Sequence, residues 1–392
     1  MKHKTLYYGG HIITCNLRDE VTEAIVIDED KILYVGEYET ARYLVDHDTE
    51  VVHIGGRAIM PTITDNMCEI FASTEEIGRE NLEAFCMHAL PHGIATVSEC
   101  GMTREKGIFQ MQKQMLKGEF PFRSNALISD SSTHPEGTMP TCLSACGITT
   151  GLGNEHFKIG HFRMNVELPK NGSFSLNTAF AVFLKHLLDC GISVQFEPKN
   201  EAEAEYALWC AHAFGTEYDY CLPCRILLHF PLKEDKLSLL RKSHCHVVIP
   251  IRFCFLNPSC VAFLERMEKE NIVFSFGEFY ANYVTQPPFQ MLSKLLFPSG
   301  EIDTVDMCNT MSLKYALRAL TLHGAMGALQ DEITGSLEWG KSADFMLLSA
   351  TPFGKNPKEM QQIMPIRVVS SGHIVYDKTP LENRQKAPYV SG

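Results

Sequence analysis

Along the first sixty residues the apolar positions fall in short, β-branched runs at 5–8, 11–15, 24–27 and 31–35. Turn formers separate them, Gly9-Gly10 and then Asp28-Glu29-Asp30. Two further runs, 51–54 and 58–60, flank Gly55-Gly56, so the pattern predicts an all-β segment over 1–60. From Pro61 the period changes. Helical patterns at 73–90, 109–117, 178–189, 201–213, 236–242, 260–269 and 312–328 alternate with short apolar runs. Those runs, at 95–98, 123–128, 192–196, 225–228, 247–251 and 272–276, predict strands. Such alternation is the signature of a parallel sheet with its crossovers. After residue 334 the chain reads as β again, at 344–348, 367–369 and 373–377, and the polar tail 381–392 is predicted to be loose.

The length of 392 residues refines this reading. A (β/α)₈ barrel alone takes about 250 residues. The expected architecture is therefore α/β: a TIM barrel over 61–334 and a small composite β-sandwich domain built from 1–60 and 335–392. A net charge of -12 with no basic block argues against nucleic acid as a partner. The most apolar stretch, 247–264, contains Pro250, Arg252, Asn257 and Pro258, which argues against a membrane span. Fourteen cysteines without a secretory pattern point to free, buried thiols in a reducing cytoplasm. The Cys221-x-x-Cys224 pair has no second pair to complete a zinc site, so packing is its expected role.

Two segments carry a family likeness. Gly335-Ser336-Leu337-Glu338-Trp339-Gly340-Lys341-Ser342-Ala343-Asp344, followed by the apolar strand 345–348, resembles the amidohydrolase-superfamily signature G-S-L-x-x-G-K-x-A-D. The preceding 316–328 is similar to that family's last barrel helix. Residues 55–69 resemble the segment G-x-x-V-x-P-G-F-x-D-x-H-x-H, whose two histidines bind metal, and 93–101 resembles the G-V-T-T-V-x-D-x-G second strand. The most similar branch contains N-substituted formamide deformylase. The resemblance implies a metal-dependent hydrolase, a small-molecule substrate and a homodimer.

The same likeness locates the expected metal site at the C-terminal ends of the barrel strands, where His-x-His on one strand face can grip one ion. Here the frame is kept and the ligands are not. Met67 and Glu69 fill the two histidine positions, with Cys68 between them. The likeness places strand four at 162–165, where Arg163 stands at the Lys position, and Glu197 stands at the His position of strand five. His229 of strand six is retained, and on strand eight Phe279 takes the Asp position beside Glu278. One nitrogen ligand is left, which disfavours zinc. Two readings stay open. Glu69, Glu197, His229 and Glu278 could hold a hard divalent cation such as Mn, Mg or Fe. Alternatively the metal is gone, and the glutamates pair with Arg163 or with a ligand, as buried carboxylates without a cation must.

Other features read as structural. His244-Cys245-His246 begins a strand and so falls at the bottom of the barrel, away from active sites. Gly151-Leu152-Gly153 lacks the third glycine of a dinucleotide fingerprint. His134 and His156 are loop histidines. Cys68, and Cys100 beside Glu99, lie in an acidic field that raises a thiol pKa, so packing is expected of them. The functional expectation is a hydrolase acting on an amide-like C–N bond of a small molecule, with a non-classical or absent metal. The alternative is a catalytically inactive homologue that binds a ligand or partner.

Overall fold

The computed structural model describes residues 4–70, 79–100, 105–129, 145–170, 172–215, 223–256, 258–281, 284–297, 311–378 and 384–386. Residues Ala24 to Val26 and Ile59 to Pro61 belong to a nine-stranded sheet fed by both ends of the chain. Its N-terminal strands are β1 (Lys4–Ile13), β2 (Val21–Asp28), β3 (Lys31–Gly36), β4 (Glu50–His53) and β5 (Ala58–Pro61). Its C-terminal strands are β16 (Phe345–Leu348), β17 (Pro365–Ser370), β18 (His373–Asp377) and β19 (Arg384–Lys386). The two groups meet where β16 runs antiparallel to β5.

The two runs expected at 5–8 and 11–15 are one strand. Gly9-Gly10 is a bulge inside it, not a turn. Gly9 sits at φ +81°, and the register against β2 shifts between Tyr8 and Ile12. The bulge is where the sheet forks. Residues before it pair with β4, and residues after it pair with β5. Part of the tail expected to be loose is also a strand, since β19 lies antiparallel to β4.

The barrel follows. Its strands are β6 (Ile63–Cys68), β7 (Ile94–Glu99), β8 (Arg123–Ser129), β9 (Phe157–Asn165), β10 (Val194–Glu197), β11 (Arg225–Leu227), β12 (His246–Pro250) and β13 (Phe274–Gly277). They form an eight-stranded sheet in chain order, every neighbour parallel, and β14 (Tyr280–Ala281) and β15 (Val284–Thr285) pair as a separate antiparallel ribbon. Between β13 and β6 the closing contacts are sparse. Glu278 N–H donates to the Met67 carbonyl at 3.1 Å, and Glu69 N–H to the Tyr280 carbonyl at 3.2 Å. The approach is close enough that a side chain on Gly277 would collide with the Met67 backbone.

Asp65 locks that seam. Its fully buried carboxylate accepts the N–H groups of Met67, Glu278, Phe279 and Tyr280 at 2.8–3.1 Å. Burial nonetheless pushes the carboxyl up to about 6. Helices Ala179–Asp189, Glu201–Gly215, Glu234–Ser243 and Pro258–Lys269 alternate with the strands as expected. The helix expected over 312–328 is two helices, Leu313–Leu320 and Leu322–Gly327, broken at Thr321. Ser312 caps the first by accepting the Tyr315 N–H. Among the described residues no helix is long and apolar enough to cross a membrane, and eleven cysteines are free.

The barrel interior departs from the bulky aliphatic layers usual in such barrels. Asn66, Ser98, Asn125, Gln195, Arg225 and Ser275 are buried polar residues on its strands. Arg225 ties several of them together through Asn66, Ser98 and the Gly327 carbonyl.

Candidate functional site

Successive side chains of a strand alternate faces, so residues two apart point the same way. At the C-terminal end of β9 this brings Arg163 to the barrel mouth, and β10 delivers Glu197. The two form a two-pronged ion pair, Arg163 Nε to Glu197 Oε1 at 2.6 Å and Nη2 to Oε2 at 3.1 Å. Arg163 Nη1 donates to the Cys100 carbonyl at 2.6 Å, and Gln195 Nε2 donates to Glu197 Oε1 at 3.0 Å. Burial pulls the guanidinium down, but the Glu197 hydrogen bonds and charge outweigh it, so its pKa is raised. Arg163 and Glu197 are 25% and 19% exposed, which leaves the pair well screened from bulk water.

Glu69 lies within electrostatic reach of Arg163 on one side and of Glu278 on the other. Glu278 follows β13 with φ at +67°, a left-handed conformation uncommon for a residue with a side chain. The Asp65 cradle holds it there. Burial raises the Glu278 carboxyl, Arg252 and His229 lower it, and Glu69 raises it further. His229 is exposed just past β11. Arg252, just past β12, joins this group without having been foreseen as a site residue. Its Nε is buried and has no partner among the described residues. Its place two residues beyond a strand end was the only available signal.

The remaining expected residues lie deeper. Phe279 is fully buried in the hydrophobic core, and its N–H serves Asp65. Cys68 and Glu99 are fully buried, and Glu99 accepts the Ile70 N–H at 2.7 Å. Met67 is half-buried at the end of β6. The thiols of Cys68 and Cys100 are both pushed well up, by burial first and by the neighbouring carboxylates second. They are packing residues with Cys100 Sγ donating to the Cys68 carbonyl. His246, the last residue of the His-x-His triplet, opens β12 at the opposite end of the barrel and bonds Ser275 Oγ at 2.8 Å. His134 and Cys221 lie outside the described residues.

This donor set suits a metal centre poorly. Both oxygens of Glu197 are committed to a guanidinium, Met67 offers only a thioether, and Phe279 offers nothing. Among the described residues no three His, Cys, Asp or Glu side chains gather closely enough to hold an ion. The residues present do not fit the metal that the family likeness implies. Arg163 is a fixed cation at this end of the barrel, and Arg252 beside Glu278 is another.

No family model and no curated protein matches the chain by sequence. Solved structures do match by shape. An uncharacterized metal-dependent hydrolase from Pyrococcus horikoshii OT3 superimposes with a TM-score of 0.67 at 13% identity, covering 91% of this chain and 99% of that one. A zinc-bound adenosine deaminase from Xanthomonas campestris gives 0.65 at 15% identity, covering 95% and 93%. Molinate hydrolase gives 0.66 at 14% identity, covering 95% and 94%. The fold is therefore one that these hydrolases share: a parallel eight-stranded TIM barrel with a separate mixed sheet. Likeness at this level of identity speaks for the scaffold and not for its chemistry.

Proposed function

We propose that this chain is an amidohydrolase-fold protein that binds a small polar molecule at the C-terminal mouth of the barrel without a catalytic metal. The observation that carries this reading is the Arg163–Glu197 pair. It places a fixed positive charge among the strand ends and uses up a carboxylate that a metal would need. A guanidinium can neutralise and orient an anionic or polar group, but it cannot lower the pKa of a bound water as a divalent ion does. Exposed His229, half-buried Glu278 and Arg252 would supply the remaining polar contacts.

A second reading draws on a different observation. Glu278 is raised by burial and sits near Glu69, and paired carboxyls with separated pKa values can divide acid and base roles. On that reading the chain hydrolyses an amide-like C–N bond, as the likeness to the deformylase branch suggests, with the glutamates doing the proton transfers. One experiment separates the readings. Protein purified without chelator is assayed for bound metal, then screened against an amide panel with and without added Mn or Zn. The binding reading expects substoichiometric metal and no turnover. Metal-independent turnover lost in Glu278→Gln supports the second reading. Stoichiometric metal with chelator-sensitive turnover overturns both.

A further inference from the structure

The Arg163–Glu197 pair does not absorb every charge at the barrel mouth. Four ionisable side chains leave consecutive strand ends: His229 after β11, Arg252 after β12, Glu278 after β13 and Glu69 after β6. Backbone hydrogen bonds fix that order. Leu228 N–H donates to the Val248 carbonyl at 3.0 Å, Ile251 N–H to the Gly277 carbonyl at 3.0 Å, and Glu278 N–H to the Met67 carbonyl at 3.1 Å. Neighbouring strands lie about 4.8 Å apart, so the backbones that carry Arg252, Glu278 and Glu69 stand within about 10 Å of one another. One small molecule spans that distance.

The charges on this arc act on one another without touching. Arg252, His229 and Glu69 all influence the Glu278 carboxyl through space. Among the described residues, however, the carboxylates of Glu69 and Glu278 accept no hydrogen bond and form no ion pair, and the Arg252 guanidinium donates to no acceptor. Arg163 differs, because each of its three nitrogens already donates, two to Glu197 and one to the Cys100 carbonyl. Glu278 is also anchored. Its N–H is held by Asp65 at 2.8 Å and its φ is +67°, a conformation kept where the surroundings enforce it. Two carboxylates held near each other repel, and a cation between them relieves the repulsion.

We propose that this arc binds a small zwitterion, a molecule with a carboxylate at one end and an ammonium group at the other. The inference rests on the metal-free reading of the mouth given above and names the class of its ligand. The carboxylate accepts from the Nη groups of Arg252, whose Nε is buried and turned away from solvent. The ammonium, with three donors, lies between Glu278 and Glu69. A lone anion would meet Arg252 but leave the two carboxylates in repulsion. A lone cation would separate the carboxylates but leave Arg252 unpaired.

The test uses the full chain, purified without chelator and titrated by calorimetry with glycine, β-alanine and 4-aminobutyrate, whose charges stand progressively further apart. Acetate and methylammonium are the single-charge controls. At least one of the three zwitterions binds saturably, and both controls bind about tenfold more weakly or worse, the value of one charge-assisted hydrogen bond. Arg252→Gln brings the tightest zwitterion to the level of methylammonium, and Arg252→Lys recovers part of the loss. Glu278→Gln weakens it about tenfold. Thermal unfolding of each variant is followed alongside, and Glu278→Gln, which keeps size and backbone, carries the test where Arg252→Gln does not fold. The inference is overturned if none of the zwitterions binds, if acetate binds as tightly as they do, or if the folded variants bind the tightest zwitterion as the wild type does. Each of those results leaves the metal-free reading of the mouth standing. That reading falls instead to stoichiometric metal with chelator-sensitive turnover in the same preparation.

Discussion

Arg163 and Glu197 show how one side chain at a strand end dictates its neighbour. A histidine at the end of β10 would present a neutral nitrogen. A glutamate there needs a cation, and Arg163 on the neighbouring strand supplies one through two parallel hydrogen bonds. Fork-to-carboxylate pairs of this kind are among the stronger polar contacts in proteins. Glu197→Gln is expected to lower stability by about 2 kcal/mol, because a charged donor loses its full counter-charge in a half-buried place. Arg163→Gln should cost a similar amount, and the double variant less than the sum. Urea denaturation of the four proteins measures that coupling. Strictly additive losses would show that the pair is not what holds these strand ends.

At the scale of the element, much was legible in the sequence and the failures have physical causes. Apolar periodicity located six of the eight barrel strands and most of the helices between them, because each is a buried run bounded by polar residues, while β6 and β9 were placed only through the family likeness. It did not show that Gly9-Gly10 is a bulge, since local sequence gives the same signal for a turn and for a kink inside a strand. The helix Pro288–Leu296 was missed because its leading prolines read as loop, although proline is well suited to a first helical turn. The candidate site was legible as positions, since strand ends could be counted. Its partnerships were not. Asp65 joins N–H groups more than two hundred residues away, and Arg225 reaches Asn66 across 159 residues. No periodicity encodes such contacts.

The fork in β1 leaves no room for a side chain at Gly10. A Cβ on Gly10 would stand 2.2 Å from the Arg57 carbonyl oxygen, the same oxygen that accepts the His11 N–H. Backbone cannot swing aside as a side chain can. Gly10→Ala should therefore cost about 1–3 kcal/mol through overpacking at the point where β4 and β5 diverge. Gly56, at φ +75° with open space around it, tests the other effect. Gly56→Ala should cost about 1 kcal/mol from its backbone conformation alone. Thermal unfolding ranks the two, and equal losses would argue against the fork as a tightly packed junction.

Across the whole molecule, the barrel and the nine-stranded sheet are joined by a charge pair at the bottom of β8. Asp344, the acid of the G-S-L-x-x-G-K-x-A-D segment, accepts from Arg123 Nε at 2.8 Å and from the Ser371 N–H at 2.6 Å. Arg123 also donates to Ser342 Oγ, Ser371 Oγ and the Glu155 carbonyl. The motif's acid thus ties the barrel to both β16 and the turn after β17. Both partners are almost wholly buried, at 1% and 2% exposure, so removing one strands the other. Asp344→Asn is expected to cost about 3–5 kcal/mol at neutral pH. Burial alone would push the Asp344 carboxyl up, but Arg123 and the Ser371 N–H outweigh it and hold it below its ordinary value of 3.8. A depressed carboxyl contributes stability above its unfolded value and loses it as pH falls through the folded one. The gap between wild type and Asp344→Asn should therefore be full at pH 7 and narrow only below pH 3.8. Urea denaturation at a series of pH values follows it. A gap independent of pH down to acid unfolding would mean that Asp344 holds the two sheets together by shape and hydrogen bonding, without its charge.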